Sequence, residues 1–206
     1  MISTQMNTPK FRGGGVKPEY LLNAIRCQGL KRELGIPLDK IVLLSVGEVN
    51  KNKNHKVVIE ALQDVKDWYF VLCGRGPLME EHRKLAESLG VSDRFIMTGY
   101  RTDVADFYSM ADVFVFPSYR EGLPVALMEA MAAGLPCVAA RNRGTGDLLE
   151  NSELLFEASD VNGLCMQLLK LEQNLANRVK KNSVHLLEYD INNTLTNVRQ
   201  LYLSEL

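Results

Sequence analysis

Glu121-Gly122-Leu123-Pro124-Val125-Ala126-Leu127-Met128-Glu129-Ala130-Met131-Ala132-Ala133-Gly134-Leu135-Pro136-Cys137-Val138 is the stretch whose reading decides the fold. From Gly122 to Ala140, Glu129 is the only side chain charged at neutral pH. A lone carboxylate in so apolar a run is costly to bury unless something pairs with it. Seven residues separate it from Glu121. Upstream, Val113 to Phe116 reads as a strand and Pro117-Ser118-Tyr119-Arg120 as a turn. Pro124 suits the first position of a helix. A strand therefore ends, a turn presents Glu121, and a helix begins beneath it. Helical side chains lean back toward the N-terminus, so Glu129, in the second turn, reaches toward the same point as Glu121.

The same alternation extends outward in both directions. Apolar runs at Ile41–Val46, Tyr69–Cys73, Arg94–Met97, Cys137–Ala139 and Glu153–Phe156 read as further strands. Helical patterns lie near Lys56–Val65, Pro77–Leu89, Asp103–Met110 and Pro124–Ala133, with two or three more helices from Val161 to Leu203. Strands that are apolar throughout, rather than alternating, imply a parallel sheet covered on both faces. Alternating strands and helices make it an α/β, Rossmann-like, doubly wound domain of about six strands. Its ligands are expected beyond the carboxyl ends of the strands. The domain spans residues 38–206. Residues 1–37 form an arm or linker around Gly13-Gly14-Gly15, with a helical pattern from Pro18 to Leu34 that stops at Gly35-Ile36-Pro37.

Composition excludes several classes. With 206 residues, 24 basic against 25 acidic, there is no basic excess to predict nucleic-acid binding. Arg178-Val179-Lys180-Lys181 reads as a solvated helix face. Cys27, Cys73, Cys137 and Cys165 lack metal-ligand spacing and read as free thiols of a reducing cytoplasm. No histidine and carboxylate cluster suggests a metal site. His55 reads as a packing or capping residue, and His82 and His185 as solvated. No apolar run approaches the roughly 20 residues of a membrane span, and the first residues do not read as a basic-then-apolar leader. Gly74-Arg75-Gly76 is a glycine turn without the full dinucleotide fingerprint, which disfavours an NAD-binding oxidoreductase.

The site chemistry follows from the helix start. Free N–H groups are expected at Gly122, Leu123 and Val125, with a partial positive charge that favours phosphate. Carboxylates beside a phosphate must serve other groups, and sugar hydroxyls are donors that carboxylates accept well. Phosphate between two hydroxyl-rich sugars describes a nucleotide-sugar. The bland alternative is a pair of solvated glutamates on an ordinary strand-helix unit.

The Glu121-to-Glu129 stretch resembles the E-x7-E signature of retaining family 4 glycosyltransferases (glycosyl transferases group 1), which have the GT-B fold. Further landmarks agree in order: Ser45-Val46-Gly47-Glu48, Asn52-Lys53-Asn54-His55, Gly99-Tyr100-Arg101-Thr102-Asp103-Val104, Ala111-Asp112 through Pro117-Ser118, and Arg143-Gly144 ahead of Asp147-Leu148-Leu149. The match covers about residues 38 to 203. It implies the C-terminal, donor-binding domain of an enzyme in polysaccharide or glycoconjugate biosynthesis. The implied roles are Glu129 on ribose hydroxyls, Glu121 on donor-sugar hydroxyls, and Lys53 in register after Gly47, with the Gly122 and Leu123 amides, on the diphosphate. Tyr100 and Arg101 would flank the base; the alternative is that Tyr100 packs on the sheet edge and Asp103 caps a helix. The family often carries arginine directly after the glycine; Glu48 stands there instead, so Arg143 or backbone amides are expected to share the phosphate.

No cofactor or metal is implied, because the helix terminus and basic side chains hold the leaving diphosphate. The implied partners are a donor, UDP-linked by resemblance, and an N-terminal acceptor domain for which no room precedes Ile41. The isolated chain is then expected to be inactive in transfer. The expected location is cytoplasmic, with the full enzyme peripheral at the inner membrane face through its missing domain or acceptor. A non-catalytic nucleotide-binding or regulatory module that keeps this fold remains the alternative.

Overall fold

The computed structural model describes residues 27–149 and 154–172. The N-terminal arm, the start of the first helix, Glu153, His185, the basic run at Arg178 and the helices expected beyond residue 172 lie outside that range.

Six strands form one parallel sheet: β1 Ile41–Val46, β2 Trp68–Cys73, β3 Phe95–Gly99, β4 Val113–Phe116, β5 Cys137–Ala140 and β6 Leu155–Phe156. Between them run α1 (residues 27–33), α2 His55–Ala61, α3 Met79–Ser88, α4 Val104–Met110, α5 Val125–Ala132, α6 Arg143–Leu149 and α7 (residues 161–172). The expected strands are all present, with ends shifted by a residue or two. Helix α6 is an addition. Its Arg-Gly-Thr-Gly start reads locally as a loop, but Asn142 caps it reciprocally. The Thr145 amide donates to Asn142 Oδ1 at 3.1 Å and the Asn142 amide to Thr145 Oγ1 at 3.0 Å.

Strand order is β3-β2-β1-β4-β5-β6. The chain winds outward from β1 in one direction, then returns to β4 on its other side. The loops after β1 and β4 therefore diverge around a crevice at the carboxyl edge, where doubly wound sheets bind ligands.

Both faces of the sheet are buried, as continuous apolar strands require. On one face Leu43, Phe70, Leu72, Val113, Val115 and Val138 pack under α2, α3 and α7. On the other, Val42, Leu44, Val71, Phe114, Phe116 and Cys137 pack under α1, α4, α5 and α6. Leu30 and Ile36 join this second cluster, so residues 27–36 pack against the sheet. His82 corrects an expectation: it is 2% exposed rather than solvated. Its ring meets His55 edge-on at 6.1 Å between α2 and α3, and neither of its ring nitrogens has a partner. Burial, with smaller contributions from His82 and Lys53, pulls the His55 imidazole down to about 3, and burial lowers His82 as well.

The strand ends approach each other closely enough to need glycine. A Cβ on Gly74, after β2, would lie 1.7 Å from the Gly47 carbonyl oxygen, and φ there is +158°. The Gly47 and Val49 amides, donating to the Cys73 and Arg75 carbonyls at 3.0 and 2.9 Å, hold the β1 and β2 loops together at the carboxyl edge.

Candidate functional site

Two loops build the crevice. After β1, Lys53 sits in a tight turn in which its amide donates to Asn50 Oδ1 at 3.0 Å. Asn54 follows in the left-handed region, φ +51°, a conformation asparagine tolerates better than most residues. Its amide group is buried and donates to the carbonyls of Pro117, at 3.2 Å, and Ala158, at 2.7 Å. After β4, the Tyr119 amide donates to the Asn52 carbonyl at 2.9 Å, and Asn52 Nδ2 donates to the Arg120 carbonyl at 2.9 Å. The β1 and β4 loops are thus stitched across the switch point by three hydrogen bonds, and the Asn54–Ala158 bond ties the same turn to the segment after β6.

That stitching brings two predicted residues together. Lys53 Nζ lies 2.8 Å from Glu121 Oε1, with side chains 21% and 13% exposed. The ammonium also stands over the Phe116 ring, 5.1 Å from its centroid. Gly47 borders it: a Cβ there would lie 3.4 Å from Lys53 Cε. Gly47, Lys53 and Glu121 therefore share one spot, although the last two are 68 positions apart.

Next to Glu121 the chain is open. Gly122 and Leu123 are exposed, and among the described residues their amides have no acceptor. The Val125 amide, expected free, instead donates to the Leu123 carbonyl at 3.0 Å. Pro124 starts the helix with φ −82° and ψ 71°, and this tightens the turn enough to consume that donor. Gly144 supports the turn from behind: a Cβ there would stand 2.9 Å from the Glu121 carbonyl oxygen and 3.0 Å from that of Gly122. Arg143, one residue earlier, is exposed beside it.

Glu129 is exposed, not buried. Its apolar neighbours Leu127, Met128, Ala130 and Met131 point into the core, so the apolar run reflects helix packing rather than an enclosed carboxylate. Its partner comes from α4. Tyr108 Oη donates to Glu129 Oε2 at 2.9 Å and lies 3.2 Å from the Ala126 carbonyl. Burial first, then the bond to Glu129, raises the Tyr108 phenol well above its usual range, so it stays a donor. Tyr108 was missed because nothing in the local sequence links it to a glutamate 21 residues away.

Tyr100 and Arg101 separate. Tyr100 is 70% exposed beyond β3. Arg101 grips Asp103 through two bonds, of 2.8 and 2.6 Å, and lies 5.0 Å from the Phe107 ring centroid. Asp103, at the start of α4, makes no side-chain cap. Among the described residues no cluster of three metal-ligating side chains occurs, and no helix is long and apolar enough to cross a membrane.

Residues 28–185 match the family described as glycosyl transferases group 1. The chain belongs to that family. It is 30% identical to an Escherichia coli UDP-Gal:alpha-D-GlcNAc-diphosphoundecaprenol alpha-1,3-galactosyltransferase, over 82% of this chain and 46% of that protein. It is 31% identical to a lipopolysaccharide core biosynthesis glycosyltransferase, LpsD, of Rhizobium meliloti, over 72% of this chain and 44% of that one. The chain thus spans less than half the length of these relatives. Among solved structures, HepE of Anabaena with UDP and glucose superposes with a TM-score of 0.79 at 19% identity, over 88% of this chain and 52% of HepE. The catalytic domain of a Helicobacter pylori cholesterol-alpha-glucosyltransferase gives 0.66 at 22% identity, over 73% of this chain and 99% of that domain. The sheet and its helices are those of a GT-B glycosyltransferase domain.

Proposed function

We propose that this chain is the C-terminal, donor-binding domain of a retaining glycosyltransferase that uses a nucleotide-sugar to build a polysaccharide or glycoconjugate. The observation that carries the reading is the Lys53–Glu121 pair across the switch point, beside the open Gly122 and Leu123 amides. A diphosphate fits a lysine and two amides at a helix start. Hydroxyl groups on either side fit Glu121, toward the sugar, and Glu129, toward the ribose. Gly47 leaves room for the ligand beside Lys53, and Arg143 adds a second cation from α6. Exposed Tyr100 offers the base a ring to stack on, while Arg101 holds the loop through Asp103.

In transfer, the bond between the sugar's anomeric carbon and the phosphate oxygen breaks, and an acceptor oxygen bonds on the same face as its proton passes to the departing diphosphate. Charge then develops on the departing diphosphate, where Lys53 and the amides stand ready to stabilise it without a metal ion. Transfer needs a second domain to bring the acceptor and exclude water. UDP is the favoured nucleotide, because HepE binds UDP and the Escherichia coli relative is a UDP-Gal galactosyltransferase.

Titration calorimetry with UDP-, GDP- and ADP-sugars, with and without EDTA, tests the reading. Binding by one base series, at micromolar to millimolar Kd and unchanged by EDTA, is expected; about 4–8 kcal/mol is what one half-site can supply. No binding by any of them would refute the donor role. The purified chain alone should transfer no labelled sugar to a broad acceptor mixture; robust transfer would refute the need for a second domain.

A further inference from the structure

We infer that Glu121 is a specificity-determining residue that discriminates an intact nucleotide-sugar from the bare nucleoside diphosphate by competing for Lys53. The inference rests on the donor-site reading above. Lys53 Nζ and Glu121 Oε1 lie 2.8 Å apart, and both side chains are mostly shielded from water. Their backbones are fixed. Lys53 is held by the Asn50 turn and the buried Asn54 anchor, and the Glu121 turn by the Asn52 contacts and by Gly144 from behind. Neither side can retreat far, so a diphosphate that reaches Lys53 meets a carboxylate already bonded to it.

A bare diphosphate must draw the ammonium away and leave Glu121 shielded, charged and facing phosphate. Both consequences oppose binding. An intact donor brings hydroxyl groups with its phosphates. Those donors satisfy the carboxylate as the ammonium turns to the phosphate, and so offset the lost pair. Glu121 thus penalises the diphosphate and rewards the sugar. The other glutamate cannot act in this way, because Glu129 bonds to a neutral phenol.

The sign of one mutation is therefore unusual. Glu121→Gln keeps the shape and removes the charge that competes for Lys53. Calorimetry with UDP, with GDP and ADP in parallel, and with the matching nucleotide-sugars tests it on the whole chain. Glu121→Gln should bind the preferred nucleoside diphosphate about three- to tenfold tighter than wild type. It should lose most of the preference for the sugar-bearing form. Glu121→Ala, which also removes the charge, should tighten the diphosphate in the same way should the Gln variant not fold. Unchanged or weaker diphosphate binding in a folded variant overturns the inference. Lys53→Ala separates the two levels. If it leaves the diphosphate affinity untouched, the donor-site reading itself fails. If it weakens that affinity while Glu121→Gln does not strengthen it, only the competition fails.

Discussion

Glu121 and Glu129 are the same residue type, eight positions apart on one turn-helix unit, yet they live in different chemistry. Glu121 is on the turn, 13% exposed, and shares its charge with a lysine from another loop. Glu129 is on the helix, exposed, and accepts a hydrogen bond from a buried tyrosine beneath it. The spacing alone does not set their surroundings. The loop that crosses from β1 and the helix before β4 decide what each can do. Glu121 is tied to a charge that a ligand must take away. Glu129 is held by a neutral hydroxyl, so under the proposed role a ligand need displace no charge from it.

The widest expected separation comes from Glu129→Gln. It should weaken nucleoside diphosphate about ten- to hundredfold, the value of a charge-assisted bond of roughly 1.5–3 kcal/mol. Calorimetry showing affinity within a factor of two of wild type would remove Glu129 from the ribose. Lys53→Ala comes next: about tenfold weaker UDP, far less loss with uridine, and a contribution that shrinks as salt rises. Equal loss with both ligands would place Lys53 away from phosphate. Tyr108→Phe should cost about three- to tenfold with UDP and nothing with 2′,3′-dideoxy-UDP, since the phenol acts only by orienting Glu129. Loss with both ligands would mean that the tyrosine merely supports the fold.

The smallest effect at neutral pH concerns the base of the Lys53 loop. His55 and His82 are buried with lowered pKa values, so the unfolded chain binds more protons than the folded one below pH 6.5. Their contribution to stability is complete above that pH and is lost as pH falls toward about 3. For His55, roughly 2 kcal/mol should disappear by pH 5. Thermal melts at pH 7 and pH 5 check this, and a pH-independent melting temperature would contradict it. The two glutamates are best compared at pH 7 or above.

Much of this was legible in the sequence because the strands are apolar throughout and glycine or proline marks their ends. Val113 to Phe116 followed by Pro117 could hardly read otherwise, and the sheet followed from six such runs. Glu121 and Gly122 could be singled out from local pattern, and Gly47 and Lys53 through the family resemblance. Their meeting could not, since it depends on the strand order that sets β1 beside β4. The environment of Glu129 was misjudged for a related reason. An apolar run shows that one helical face is buried, but not on which face a lone polar residue falls. Tyr108 and the buried His82 were invisible because their partners come from other elements. Helix α6 was hidden because its stability comes from the Asn142 cap and from packing, against the propensity of two glycines.

Backbone amide NMR of the chain titrated with a UDP-sugar tests the donor crevice most directly. The largest shifts should centre on Gly47, Lys53, Gly122 and Leu123, with smaller ones at Tyr100 and Arg143, and Lys53→Ala should need about tenfold more ligand to reach the same shifts. Saturable binding whose shifts cluster away from the β1 and β4 loops would contradict the assignment of this site.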